Sequence, residues 1–211
     1  MPALFNSITN LEPKSREDSI SSYRLDSLLD SCADTYQLSQ ADMQKIRYYL
    51  LSHQLKLECF GEPEDANAVI VFSFGASECV NKVLAAVVDD IVYHQPKVNV
   101  FAQQEISSHL GHIRHTPIIS SDYQSTEDVA RYASNSQCLD KVMIVAQAWH
   151  ADRCVTVCQA LNIDVVGLRV VDYFPENDPQ KWVRSPINWI IKESFREEAT
   201  GFEISKRFDF T

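Results

Sequence analysis

The chain has 211 residues, 45% of them hydrophobic, and its 29 acidic against 19 basic side chains give a formal charge of −10 and a pI near 5.0. That length favours one domain built on one sizeable core. With no block of Lys and Arg, the charge balance excludes general nucleic-acid and anionic-membrane binding, because both need clustered cations. The first residues, MPALFNSITNLEPKSRED, hold neither a basic start with an apolar core nor a cleavage site. No later segment approaches the roughly 18 uninterrupted apolar residues of a membrane span. A soluble, cytoplasmic protein is expected. Six cysteines, at positions 32, 59, 79, 138, 154 and 158, form no CxxC pair, and several fall on apolar faces of predicted helices, so reduced, buried thiols are expected.

In chain order, residues 1–14, with Pro2 and Pro13, predict an irregular surface arm. Ile20, Tyr23, Leu25, Leu28 and Leu29 follow helical spacing, and Ser39 is placed to cap a second helix carrying Met43, Ile46, Tyr49, Leu50 and Leu51. The turn-rich, acidic segment CFGEPEDAN, residues 59–67, ends this helical part. AVIVFSF, residues 68–74, predicts a buried strand, then Gly75 a turn, then a helix through Cys79, Val83, Leu84, Val87 and Val88. The alternation continues with a strand over 98–101, a short helix over 105–110, a strand over 117–120 and a helix over 126–136. KVMIVA, residues 141–146, is a β-branched run that gives way after His150 to helical spacing at Ala151, Cys154, Val155, Cys158 and Leu161. A strand over 165–170 follows, then a loop with Pro175, Pro179 and Pro186, then a helix over 187–200 that Gly201 is expected to terminate. Five strands alternating with helices predict an α/β fold: a three-layer, Rossmann-like parallel sheet with an N-terminal helical extension and a C-terminal helix. The expected organisation is an arm and helical extension over 1–67 packed on an α/β domain over 68–211, one compact unit.

In such a sheet, loops at the carboxyl ends of non-adjacent elements converge, so 73–77, 125–128 and 147–153 are expected to face one crevice. Gly75 permits a tight turn and close backbone approach, and the amides after it, with Ser77, suit an anionic or carboxylate group at a helix N-terminus. Ser125 to Asp128 has the spacing of a cap, with Thr126 and Glu127 beside it. Gln147, His150 and Arg153 fall at the end of the 141–146 strand and on the next helical turn, where an imidazole can exchange protons and a guanidinium can bind an oxyanion. His150, with Glu127 as its partner, is the expected general acid or base if the chain is an enzyme. There is no GxGxxG, no GxxxxGK[ST] and no GxSxG. His109, His112 and His115 are spaced poorly for one helical face and have no nearby acid or cysteine, so no metal site is expected.

The strand ending near Gly75, the Ser125-Thr126-Glu127 segment before a helix, and VMIVAQAWHADR with His150 and Arg153 together resemble the SanA, YdcF and ElyC family of Rossmann-like domains. The resemblance covers residues 68–171. It implies a pocket built from the glycine loop, the Ser-Thr-Glu segment and the His-Arg pair, and is compatible with a nucleotide-like ligand such as S-adenosylmethionine. Where relatives carry an arginine on the first helix and a Ser-Gly pair after the second strand, this chain has Asn81-Lys82 and Ala102-Gln103. The functional expectation is a small anionic or nucleotide-like ligand at Gly75, Ser77, Ser125, Thr126, Gln147 and Arg153, with hydrolysis or group transfer at His150 and Glu127. Its competitor is a non-enzymatic regulatory or interaction protein with a vestigial pocket.

Overall fold

The computed structural model describes residues 19–121, 123–135 and 139–211. The expected arm over 1–14 and Cys138 lie outside these residues, as do the side chains of Ile20, Tyr23, Leu25 and Leu28. By its internal contacts the chain divides into two compact units, one of Lys56–Pro179 and one of Gln180–Thr211 with the described residues up to Leu55.

The first unit is the α/β body. Its strands are β1 (Ala68–Val71), β2 (Asn99–Gln103), β3 (Thr116–Ile118), β4 (Lys141–Gln147) and β5 (Asp164–Val171). All pair in parallel, in the order β3-β2-β1-β4-β5. β1 and β4, the most apolar runs, lie side by side at the centre with Val71 opposite Val145, which explains why neither shows the alternation of a half-exposed strand. Ala68, Ile70, Val142 and Ile144 face one side of the sheet. There they join Val129, Ala130 and Ala133 of a helix over Thr126–Ser134, and Ala151, Cys154 and Cys158 of a helix over Ala151–Ala160. By the pleat, Val69, Val71, Met143 and Val145 face the other side, covered by a helix over Glu78–His94 that buries Val80, Leu84, Val88 and Ile91. This is the three-layer, Rossmann-like arrangement.

In chain order the helices are α1 (Ser19–Tyr36), α2 (Gln40–Ser52), α3 (Glu78–His94), α4 (Gln104–Ser107), α5 (Thr126–Ser134), α6 (Ala151–Ala160), α7 (Pro186–Phe195) and α8 (Gly201–Arg207). The second unit consists of α1, α2, α7, α8 and a 3-10 turn at Lys181–Val183. Ser39 caps α2 in a reciprocal box with Asp42. Leu38, Ile46 and Leu50 meet Ile187, Ile190 and Ile191 of α7 along an apolar seam. Polar ties run across it: Tyr36 donates to Asn188 Oδ1 at 2.9 Å, and Arg207 pairs with Asp42 at 2.7 Å while lying over the Phe195 and Phe208 rings.

Two expectations need correction. Gly201 does not end a helix over 187–200; it opens a second one. Thr200 and Glu203 form a reciprocal cap, and a Cβ at Gly201 would lie 2.8 Å from the Trp182 ring, so the glycine is there for close approach to the indole. The cysteines are not all buried: Cys59 and Cys79 are exposed, while Cys32, Cys154 and Cys158 are buried, and all five described are free thiols. Among the described residues no helix is long and apolar enough to cross a membrane.

Candidate functional site at the sheet switch point

β1 leads through α3 to β2 on one side, and β4 leads through α6 to β5 on the other. The carboxyl ends of β1 and β4 therefore bound the crevice at which open α/β sheets take ligands. Although the apolar run continues to Phe74, β1 ends at Val71 because side chains replace the backbone ladder. Phe72 N still donates to Val145 O at 2.9 Å, but Ser73 N donates to Gln103 Oε1 at 3.0 Å and Phe74 N to Asn81 Oδ1 at 3.2 Å. Gly75 then takes φ +75°, the left-handed conformation its lack of a Cβ allows. Asn81, 1% exposed, fixes this turn by donating to Gly75 O at 3.2 Å and Ser77 O at 3.0 Å.

The amides opening α3 hold an anionic oxygen, and it belongs to this chain. Ala76 N and Ser77 N donate to Asp178 Oδ2 at 2.9 and 2.7 Å, and Asp178 is 1% exposed. Two N–H groups and the positive end of a 17-residue helix meet one carboxylate, which is the arrangement that binds anions at helix N-termini. Ser77 itself makes no side-chain cap; its Oγ accepts from Cys79 Sγ at 3.5 Å.

Across the crevice, Gln147 is fully buried. Its Oε1 accepts from Trp149 N at 2.7 Å and His150 N at 3.2 Å, serving amides that the residue at the helix boundary, His150, does not cap. Its Nε2 is buried with no hydrogen-bond partner among the described residues. His150, 5% exposed, stands edge-on to Phe72 at 6.3 Å, tilted to Phe74 at 6.4 Å, and its Nε2 is 3.5 Å from Thr126 Oγ1. The first-strand loop, the start of α5 and the start of α6 thus converge on this imidazole. Arg153 is half-buried on the first turn of α6.

No family model, curated protein or solved structure matches the chain. What it does rests on its own geometry.

The other expected residues have local partners. Ser125 and Asp128 cap α5 reciprocally, and the Ser125 hydroxyl and amide hold the Asp128 carboxyl below its ordinary range. Glu127 is exposed and pairs with Arg131 one turn along. His115 hydrogen-bonds Ser107 Oγ at 2.7 Å and Ile113 O at 2.8 Å, and His112 meets Asp89 at 3.0 Å, so each imidazole has its own neighbours. Among the described residues no group of three or more His, Cys, Asp or Glu is placed to hold a metal ion.

Sequence reasoning missed Asp178, Phe174, Asn81 and Gln103. Phe174 makes edge contacts with Phe74 at 5.5 Å and Trp149 at 5.7 Å. The indole N–H of Trp149 donates to Asp172 Oδ1 at 3.3 Å, and Asp172 also pairs with Lys56 at 2.7 Å. For Asn81 a signal was present, since a polar residue four positions after Ser77 on an otherwise apolar helix face looks back at the turn. Asp178 had none, lying about a hundred residues from the amides it meets.

Proposed function

We propose that this chain binds a small anionic or nucleotide-like molecule at the carboxyl edge of the sheet, its negative group at the start of α3 and its remainder toward His150. One observation carries this reading: the paired amides of Ala76 and Ser77 grip a carboxylate oxygen from a distant part of the chain, so the loop after Gly75 has the geometry and polarity of an anion site. Gln147, with a buried amide donor left over, supports it from the β4 side. The resemblance to SanA, YdcF and ElyC domains points to the same three segments. Arg153 is assigned to the ligand's charge. In the enzymatic form of the proposal, His150 exchanges a proton with the ligand in a hydrolytic or group-transfer reaction; the Glu127 carboxylate, held by Arg131, is left out of it.

The test is calorimetric titration of wild type and Arg153→Ala with inorganic phosphate, adenosine 5′-monophosphate and S-adenosylmethionine. At least one ligand should bind wild type and lose about tenfold or more in the variant; equal binding to both would remove Arg153 from the site. A second reading, a sealed crevice in a protein-interaction module, is favoured by the near-complete burial of Asp178. It predicts no binding of any of the three ligands.

A further inference from the structure

We propose that residues 172–179, the segment after β5, are an intramolecular stand-in for the ligand: a strap that fills the crevice with an aromatic ring and a carboxylate, and that yields to a molecule carrying the same two groups. This deepens the reading above and rests on it. Phe174 and Asp178 lie four residues apart in the segment and land on nearly adjacent parts of the first loop. The Phe174 ring meets Phe74 at an interplanar angle of 82° and Trp149 at 74°, filling a slot between an aromatic of the loop after β1 and an aromatic of the loop after β4. The Asp178 carboxylate meets the amides of Ala76 and Ser77, two and three residues beyond Phe74. The crevice therefore offers one aromatic slot and one anion slot side by side, each filled by the segment. A ligand matching both carries a planar aromatic group and a terminal anionic group, as a nucleoside monophosphate does.

The segment is built to hold this pose without being woven into the sheet. Its anchor is Asp172, shared between the Trp149 indole and Lys56. Pro175, which is buried, and Pro179 restrict the backbone between and after the two contacts, so less entropy is lost on closing. At the carboxyl end of β4, where its Oε1 serves the Trp149 and His150 amides, Gln147 also keeps a wholly buried Nε2 bonded to no described residue. A ligand acceptor at that amide would complete the set.

When a competing segment occupies a site, the apparent dissociation constant rises by the reciprocal of the open fraction. Adenosine 5′-monophosphate and inorganic phosphate are titrated calorimetrically into the full chain as wild type, Asp178→Ala, Phe174→Ala and the double variant, with circular dichroism confirming the fold. The monophosphate should bind the double variant about tenfold or more tightly than wild type. Asp178→Ala should strengthen binding of both probes, and Phe174→Ala only that of the monophosphate. Hydrogen exchange on wild type needs no substitution: saturating monophosphate should speed exchange across 172–179 and slow it across 74–78. If the monophosphate binds wild type and variants equally, or binds wild type with the 172–179 amides unchanged, the strap is no competitor and this proposal fails while the anion site stands. If neither probe binds any folded form, the anion site fails and takes the strap with it.

Discussion

Asn81 is the side chain on which the shape of the first loop depends, and its removal has a calculable cost. It is 1% exposed, accepts from Phe74 N and donates to Gly75 O and Ser77 O. Each such bond contributes about 1 kcal/mol net, and buried groups left bare cost about 1–3 kcal/mol more. The three lost bonds alone should destabilise Asn81→Ala by about 3 kcal/mol, with any group left bare adding to it, and at about 2–4 °C per kcal/mol for this length the melting midpoint should fall by at least about 6–12 °C. Asn81→Asp keeps the volume and the acceptor for Phe74 but has no donor for either carbonyl. It should cost at least as much at pH 7, because its carboxylate faces two carbonyl oxygens at the distances the amide now spans. Guanidinium unfolding followed by circular dichroism gives both values, and hydrogen exchange at residues 74–77 locates the effect. Should both variants lie within about 0.5 kcal/mol of wild type, the turn holds its shape without Asn81, and the grip of the Ala76 and Ser77 amides on Asp178 cannot be attributed to that clamp.

The helix caps should separate by their bonds: Ser125→Ala and Thr200→Ala, which break reciprocal boxes, each cost about 1 kcal/mol, while Ser77→Ala, which breaks no cap, costs a few tenths in the same unfolding assay. Gly61→Ala should unfold the protein at ordinary temperature or come close to it, since Gly61 has φ +69° and a Cβ there would sit 2.1 Å from Val166 O, a backbone atom that cannot swing away; normal melting of this variant refutes the account. Burial pushes the Cys158 thiol up from 9.0 to about 12. Folding thus favours the protonated form, and the stabilisation is complete below pH 9 and lost as pH climbs from 9 toward 12, by about 1.4 kcal/mol per pH unit. Cys158→Ala should flatten the fall in stability measured between pH 9 and 10.5, and an unchanged slope would assign the loss to other groups.

The expectations that succeeded rest on interactions close in sequence or on runs whose chemistry has one outcome. VMIV and AVIV became the central strands because a run with no polar residue must be covered on both faces. Ser39 and Ser125 became caps because their partners lie three residues on. Glu127 could have been placed the same way, as Arg131 is four residues ahead and at the right spacing for an ion pair. Failures arose where a side chain took over a backbone role. Nothing in AVIVFSF marks Val71 as the strand's end; Gln103 and Asn81 mark it, by drawing off the amides of Ser73 and Phe74. Likewise Gly201 looks like a helix stop until Trp182 is seen lying against it.

The site shows the same division between location and occupancy. Alternating strands and helices place the crevice at the ends of β1 and β4, and any helix that begins there presents unpaired amides that need an acceptor. The need is therefore legible, but the supplier is not. At α6 the acceptor is Gln147, the last residue of the preceding strand, near enough in sequence to be guessed. At α3 it is Asp178, and no local rule links a carboxylate in a proline-bounded loop to amides a hundred residues earlier. Because the Ala76 and Ser77 amides are already served by Asp178, a ligand that takes these amides must replace a bond the fold already makes. Its affinity is then set by the difference between two similar interactions, which is why removal of Asp178 should alter binding more than removal of a residue that merely lines the crevice.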